Sequence, residues 1–220
     1  MSVRPSVRLV SVTFVYCVET SKHVKLFPSS HRTVVDSLSR LREDKAAGAD
    51  ELSPRFLLQI NHNISYPLYL LFRKSLDTGI VPDDWKCANI SPVFKKGSRN
   101  KVENYRPVSL TSQICKVFES IIRDGMVRHL ESNMLIQDSQ HGFRKRRSCL
   151  TNLLTFLDKV SGCLDSGENM DVVFLDFAKA FDKVPYKRLE LKLKSHGITG
   201  KLLMWITDWL NNRRQRVCVW

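Results

Sequence analysis

The stretch Met170-Asp171-Val172-Val173-Phe174-Leu175-Asp176 constrains the fold of this chain more than any other. It is short, β-branched and aromatic, which is the composition of a strand inside a sheet. It ends in a carboxylate, and an acid at the end of a buried strand is costly unless it binds something. A divalent cation is the usual answer, because hard cations take carboxylate and carbonyl oxygens. The same aspartate also reads as a cap on the turn that follows.

The rest of the chain supplies helices to cover such a sheet. Val34, Val35, Leu38 and Leu41 share one helical face, and the helix is expected to stop near Gly48. Ser53-Pro54 is an N-cap and first-turn pair, Pro67 is expected to divide residues 54–77 into two helices, and Gly79 closes the second. Residues 86–94 and the stretch through Tyr105 to Leu110 are extended around the loop Lys95 to Lys101, which predicts a hairpin over about 86–109. Ile114, Val117, Phe118, Ile121, Ile122, Val127 and Leu130 mark a long amphipathic helix. Leu150, Leu153, Leu154, Leu157 and Val160 mark another, ended by Gly162 and Gly167, and two more are expected near 186–196 and 199–211. Gln215 to Trp220 reads as a final strand, and an end on an apolar strand reads as a cut. Residues 1–32 lack a clear period and form an unassigned leader, and 33–220 form one domain. The expected class is α+β, with helices packed on a small antiparallel sheet.

Composition narrows the partners. Lysine and arginine outnumber aspartate and glutamate 35 to 22, for a net charge of +13, which argues for a polyanion such as nucleic acid. No apolar run approaches the length of a membrane span, so no membrane partner is expected. The six cysteines form no C-x-x-C pair and read as reduced thiols of an intracellular protein, nuclear or cytoplasmic. Leu9 to Val18 lacks a cleavage site behind it, so secretion is not expected.

Asp176 followed by Ala180-Phe181-Asp182 resembles the first palm motif of reverse transcriptases, in the variety carried by non-LTR, LINE-like retrotransposons of the jockey and CR1 type. Lys45 to Asp50 with Leu52-Ser53-Pro54 resembles the family's opening fingers motif. Pro92 to Gly97 and Asn104 to Leu110 resemble its second, and Gln140 to Arg144 with Ser148-Cys149 its third. Gly197-Ile198, Trp205, Trp209-Leu210 and Arg213-Arg214-Gln215 resemble the stretch before the next palm motif. Several motifs in one order are much rarer by chance than any one of them.

The resemblance implies a partial right-hand polymerase, fingers plus the beginning of a palm, from a family that joins a deoxynucleoside triphosphate to a DNA primer on an RNA template. It implies two Mg²⁺ ions in the complete family site, with Asp176 and the backbone carbonyl of Phe177 as ligands. Lys95 or Lys96, with Arg106, would clamp the triphosphate, and Lys95 is favoured. Phe181 would be the ring that excludes a ribose 2′-hydroxyl, and core packing is its ordinary alternative. Gln140, Gly142, Phe143, Arg144 and Arg146 would contact the template. The family's glycine-proline-glutamine-glycine turn and aromatic-x-Asp-Asp hairpin do not occur in these 220 residues. One aspartate holds Mg²⁺ weakly or not at all, so the chain is expected to be inactive on its own. The alternative is a non-catalytic, co-opted module that binds RNA or DNA.

Overall fold

The computed structural model describes residue 27 and residues 30–218, so the readings on the remaining residues, including the apolar run 9–18, Cys17 and the last two positions, lie outside the described residues. Helix α1 is Arg32–Leu38, α2 is Pro54–Gln59 and α3 is Asn61–Thr78. A 3₁₀ turn over Asp83–Lys86 leads into strand β1, Cys87–Phe94, and a second over Val102–Asn104 leads into β2, Tyr105–Thr111. Then come α4, Gln113–Ser132; α5, Cys149–Asp165; α6, Tyr186–Ser195; α7, Gly200–Leu210; and β3, Arg214–Val217. The class is mixed α and β, with seven α-helices and one three-stranded sheet among the described residues. No described helix is long and apolar enough to cross a membrane.

The core forms where α1, α3, α4 and α7 meet. Phe118 of α4 lies at its centre, fully buried, stacked on Phe72 at 4.6 Å and edge-on to Trp205 at 5.1 Å and Trp85 at 5.8 Å. Val117, Ile121 and Ile122 extend the same face of α4, as the apolar period requires. Phe27, inside the segment read as a leader, stacks on Tyr69 at 5.6 Å and packs against this core.

The local stop and start signals act as their chemistry dictates. The Ser53 hydroxyl accepts the Phe56 N–H at 3.2 Å, with Pro54 in the first turn of α2. Gly79 ends α3 in the left-handed region, φ 70°. Two boundaries differ from expectation. The break between α2 and α3 falls at Ile60, and Pro67 sits inside α3. Its missing N–H costs one helical bond, but Leu68, Tyr69 and Phe72 are buried on the same helix and hold it together. The first helix ends at Leu38 rather than near Gly48, because the residues that follow form a strap against the β2–α4 junction. There the Gln113 side-chain amide donates to the Ala46 carbonyl at 2.6 Å. A Cβ on Gly48 would lie 2.4 Å from the Thr111 carbonyl group, so only glycine allows this approach.

The expected hairpin is present. β1 and β2 pair antiparallel from Ala88 opposite Thr111 to Phe94 opposite Tyr105. β3 lies on the other side of β1 and runs parallel to it, Cys87 opposite Arg214 through Ile90 opposite Val217, so the sheet order is β2-β1-β3 and the sheet is mixed, not wholly antiparallel.

The strand expected over 170–176 does not form. Those residues carry no strand pairing, and Val173, Phe174 and Leu175 are about four-fifths exposed. A strand draws its hydrogen bonds from a neighbour, and no described strand lies beside this one. None of residues 142–197 is fully buried: α5 leaves its apolar face exposed, and α6 reaches the core only through the partly buried Leu193, although both apolar periods read as core helices.

Candidate nucleotide and nucleic-acid interface

The hairpin brings together the basic residues singled out at its ends. Val93 is the cross-strand partner of Arg106, and the Lys95 N–H donates to the Asn104 carbonyl at 2.8 Å, one rung beyond the last strand pair. Side chains alternate along a ladder, so Lys95 and Arg106 stand on one face as diagonal neighbours. Lys96 comes after the last rung, in a bend. All three cations are exposed.

The other face of the hairpin tip is built to hold it rigid. Phe94 and Tyr105 meet at 5.4 Å, and the Arg99 guanidinium lies over Phe94 at 5.4 Å. The Tyr105 hydroxyl donates to the Arg99 carbonyl at 3.0 Å, and the Asn104 side-chain amide donates to the Ser98 carbonyl at 2.8 Å. Gly97, at φ 88°, turns the chain where a side chain would meet Asn104. Sequence reasoning missed Arg99 and Asn104 as parts of this device. The loop's Gly-Ser and Asn signals mark a turn but not which atoms close it.

The segment Gln140 to Arg147 forms a compact loop ahead of α5. Ser148 and Thr151 exchange capping hydrogen bonds at the start of that helix, and His141, buried, meets the Thr151 hydroxyl at 2.9 Å. Gln140 donates its side-chain amide to the Gly142 carbonyl at 3.0 Å. Arg144 is turned onto its own loop, donating to the Gln137 carbonyl at 3.0 Å beside Asp138, while Lys145 and Arg146 stay exposed. Phe143 is 91% exposed at φ 59°, a conformation unfavourable for a bulky side chain, and it lies edge-on to Phe181 at 6.3 Å. The loop and the segment after Asp176, 38 residues apart by these two rings, therefore meet.

Asp176, Phe177 and Phe181 all lie on the exposed segment 170–184. Among the described residues no group of three His, Cys, Asp or Glu side chains gathers to hold a metal ion. The segment carries Asp171, Asp176 and Asp182, but they do not gather with other ligands into a group of three, and such an arrangement does not fit a two-ion site.

Three buried or partly buried polar arrangements escaped sequence reasoning. The Lys86 ammonium is buried 2.8 Å from Asp208, whose other oxygen accepts the Val81 N–H at 2.7 Å. Burial alone would raise the Asp208 carboxyl. The Lys86 hydrogen bond, the Val81 N–H and the Lys86 charge outweigh it and hold the group below its ordinary range. Trp205 donates its indole N–H to the Ser75 hydroxyl at 2.9 Å, and that hydroxyl donates to the Ile80 carbonyl at 2.6 Å. Trp209 donates to Glu119 at 2.7 Å, and the Cys115 thiol meets the same oxygen at 3.2 Å. Burial pushes that thiol up, and the neighbouring Glu119 charge adds to the effect, so Cys115 is inert packing rather than a nucleophile.

Known proteins resemble the chain over most of this region. The profile of a family described as reverse transcriptase (RNA-dependent DNA polymerase) matches residues 93–219. A probable RNA-directed DNA polymerase from transposon X-element of Drosophila melanogaster is 30% identical over 162 residues, 73% of this chain and 18% of that protein. The RNA-directed DNA polymerase from mobile element jockey of Drosophila funebris is 29% identical over 169 residues, 76% of this chain and 18% of that protein. A retrovirus-related Pol polyprotein from type-1 retrotransposable element R2 of Popillia japonica is 25% identical over 134 residues, 61% of this chain and 18% of that protein. The chain thus spans under a fifth of the length of these relatives.

Proposed function

Because the chain belongs to the reverse transcriptase (RNA-dependent DNA polymerase) family, in its LINE-like retrotransposon branch, we propose that it supplies the nucleotide-gripping and template-gripping surface of an RNA-directed DNA polymerase. In this reading the β1–β2 hairpin is the fingers, and 170–182 is the first palm segment. One observation carries it: the β1–β2 register that sets Lys95 and Arg106 on one face of a braced hairpin tip.

Arg106 offers a planar guanidinium for bidentate contact with a triphosphate, and Lys95 adds a point charge beside it. Phe143 is an exposed ring followed in the loop by the exposed cations Lys145 and Arg146, which suits stacking on an unpaired template base with the phosphates held by the same loop. Gln140 and Gly142 set the loop's shape, and Arg144 contributes to template contact through the loop it braces. Phe181, which lies against Phe143, is in this reading the ring that crowds a sugar C2′. Asp176 and the Phe177 carbonyl are the positions at which Mg²⁺ would be bound when further carboxylates surround them, and the ion's contribution there is to stabilise developing charge on oxygen.

The test is deoxynucleotide binding by the chain. Lys95→Ala and Arg106→Ala should each weaken it about tenfold or more, since a charge-assisted hydrogen bond contributes roughly 1.5–3 kcal/mol. Lys96→Ala should change it little. Equal losses for Lys95 and Lys96 would defeat the register argument. A second reading, a nucleic-acid-binding module without catalysis, is favoured by the aspartates of 170–184 not gathering into a group of three with other ligands among the described residues. Primer extension by a polypeptide that adds an aromatic-x-Asp-Asp segment separates the two.

A further inference from the structure

A second basic site lies on the opposite end of β2 from the proposed clamp. A cleft of about 270 Å³ opens between the strap after α1 and the first half of α4. The strap contributes Arg40, Arg42 and Lys45; α4 contributes Gln113, Lys116 and Arg123. On α4, positions 113, 116, 120 and 123 fall on one face of the helix, running about 15 Å along it. Val117 lies at the floor of the cleft, and the core residues Phe118, Ile121 and Ile122 occupy the face beside it.

The charge balance of this cleft is one-sided. Arg42 is held bidentately by Asp44, at 3.0 and 2.8 Å, and Arg123 by its neighbour Asp124, at 2.7 Å. Arg40 and Lys116 have no carboxylate partner among the described residues, and Lys45 reaches Asp44 only at 4.0 Å. Three positive charges are therefore left over among the five cations lining the cleft. The strap is fixed, not loose: Gln113 holds the Ala46 carbonyl and Gly48 is pressed on Thr111. A fixed array of unpaired cations facing one groove is repulsive in the empty state and is relieved by a polyanion.

We propose that this cleft is a separate binding site for the phosphodiester backbone of RNA. The inference rests on the nucleic-acid-handling function proposed above and adds a site to it. No aromatic side chain lines the cleft, so it cannot stack bases, and its contacts are to phosphate and carry no sequence preference. Arg106 and Thr111 are five residues apart on β2, about 17 Å, and Gln113 lies beyond Thr111, so the cleft is too far from Lys95 and Arg106 to share one triphosphate with them. It grips a different stretch of the strand.

The experiment measures binding of a 20-nucleotide single-stranded uridine RNA by fluorescence anisotropy over a series of salt concentrations, beside binding of dTTP. Arg40→Glu with Lys116→Glu should weaken RNA binding at least tenfold at low salt. It should lower the slope of log affinity against log salt by about 1.4, at about 0.7 per lost phosphate contact on a single strand. dTTP binding should stay unchanged, because the clamp residues are untouched. Arg40→Gln with Lys116→Gln should lower the slope by the same amount with a smaller loss of affinity, because no charge is reversed, and Arg40→Lys, which keeps the charge, should leave the slope unchanged. RNA affinity and slope equal to those of the unaltered chain in both double variants would overturn the cleft and leave the proposed function standing. Absence of RNA binding by the unaltered chain would overturn both.

Discussion

Lys86 and Asp208 are 122 positions apart in the sequence and 2.8 Å apart in space. Lys86 is buried, so its ammonium depends on Asp208 for compensation, and Asp208 in turn ties the start of β1 and the Val81 backbone to α7. Asp208→Ala should destabilise the chain by roughly 3 kcal/mol in urea unfolding, since it strands a buried cation. Replacing the pair by neutral residues that keep an acceptor for the Val81 N–H, Lys86→Met with Asp208→Asn, should recover most of that loss. The carboxyl titrates below its ordinary value in the folded chain, so its contribution is full above the unfolded value, about 3.9, and is lost as the pH falls through the lower folded value. Acid unfolding followed by circular dichroism should accordingly show a smaller acid-dependent loss in the double variant. A pH profile identical to that of the unaltered chain would mean that the pair carries no acid sensitivity.

Helices α4 and α5 have similar apolar periods in the sequence and opposite fates in the fold. α4 buries Val117, Phe118, Ile121 and Ile122, whereas α5 buries nothing and leaves Leu150, Leu153, Leu154 and Leu157 about half exposed or more. The two should respond differently to substitution. Phe118→Ala empties the centre of an aromatic cluster and should cost about 3–5 kcal/mol. Leu153→Lys with Leu157→Lys should change stability by no more than about 0.5 kcal/mol per site, as at ordinary surface positions, and should reduce light scattering at high protein concentration by breaking an apolar stripe. A large melting-temperature loss in the α5 variant would show that its leucines are packed in solution. The hairpin was legible as an element because extended residues flank a Gly-containing loop. Its rigidity was not legible, since Asn104, Tyr105 and Arg99 act through particular atoms of the turn.

At the scale of the whole molecule, the proposed clamp, template loop and palm segment are carried by different parts of the fold. The hairpin stands on the buried core; the loop is anchored only by the buried His141, and 170–184 is exposed throughout. Phosphoryl transfer needs charge stabilised on both the attacking and the leaving oxygen, and Asp176 alone cannot arrange that. In a primer-extension assay on an RNA template with Mg²⁺, the 220-residue chain should give no product. A polypeptide that adds the aromatic-x-Asp-Asp segment should extend the primer and lose that activity on Asp176→Asn, while Phe181→Val should retain deoxynucleotide use and relax rejection of ribonucleotides. Extension by the 220-residue chain, abolished by Asp176→Asn, would overturn the catalytic argument.

Local chemistry written along the chain determined much of this protein. Ser53-Pro54 starts a helix, Gly79 ends one, the period of α4 selects its buried face, and the motif order that resembles reverse transcriptases agrees with the family match over 93–219. These depend on residues close in sequence, whose interactions need no knowledge of the rest of the fold. Tertiary structure alone decided the rest. Residues 170–176 have strand composition, but a strand exists only where another strand accepts its hydrogen bonds, and none of the described strands does. β3 pairs with β1 in parallel, Gly48 is required by a peptide 63 residues away, and Lys86 is neutralised by an acid on the last helix. Each of these is a contact between distant segments, set by which surfaces the core brings together, and no local pattern of residues encodes it.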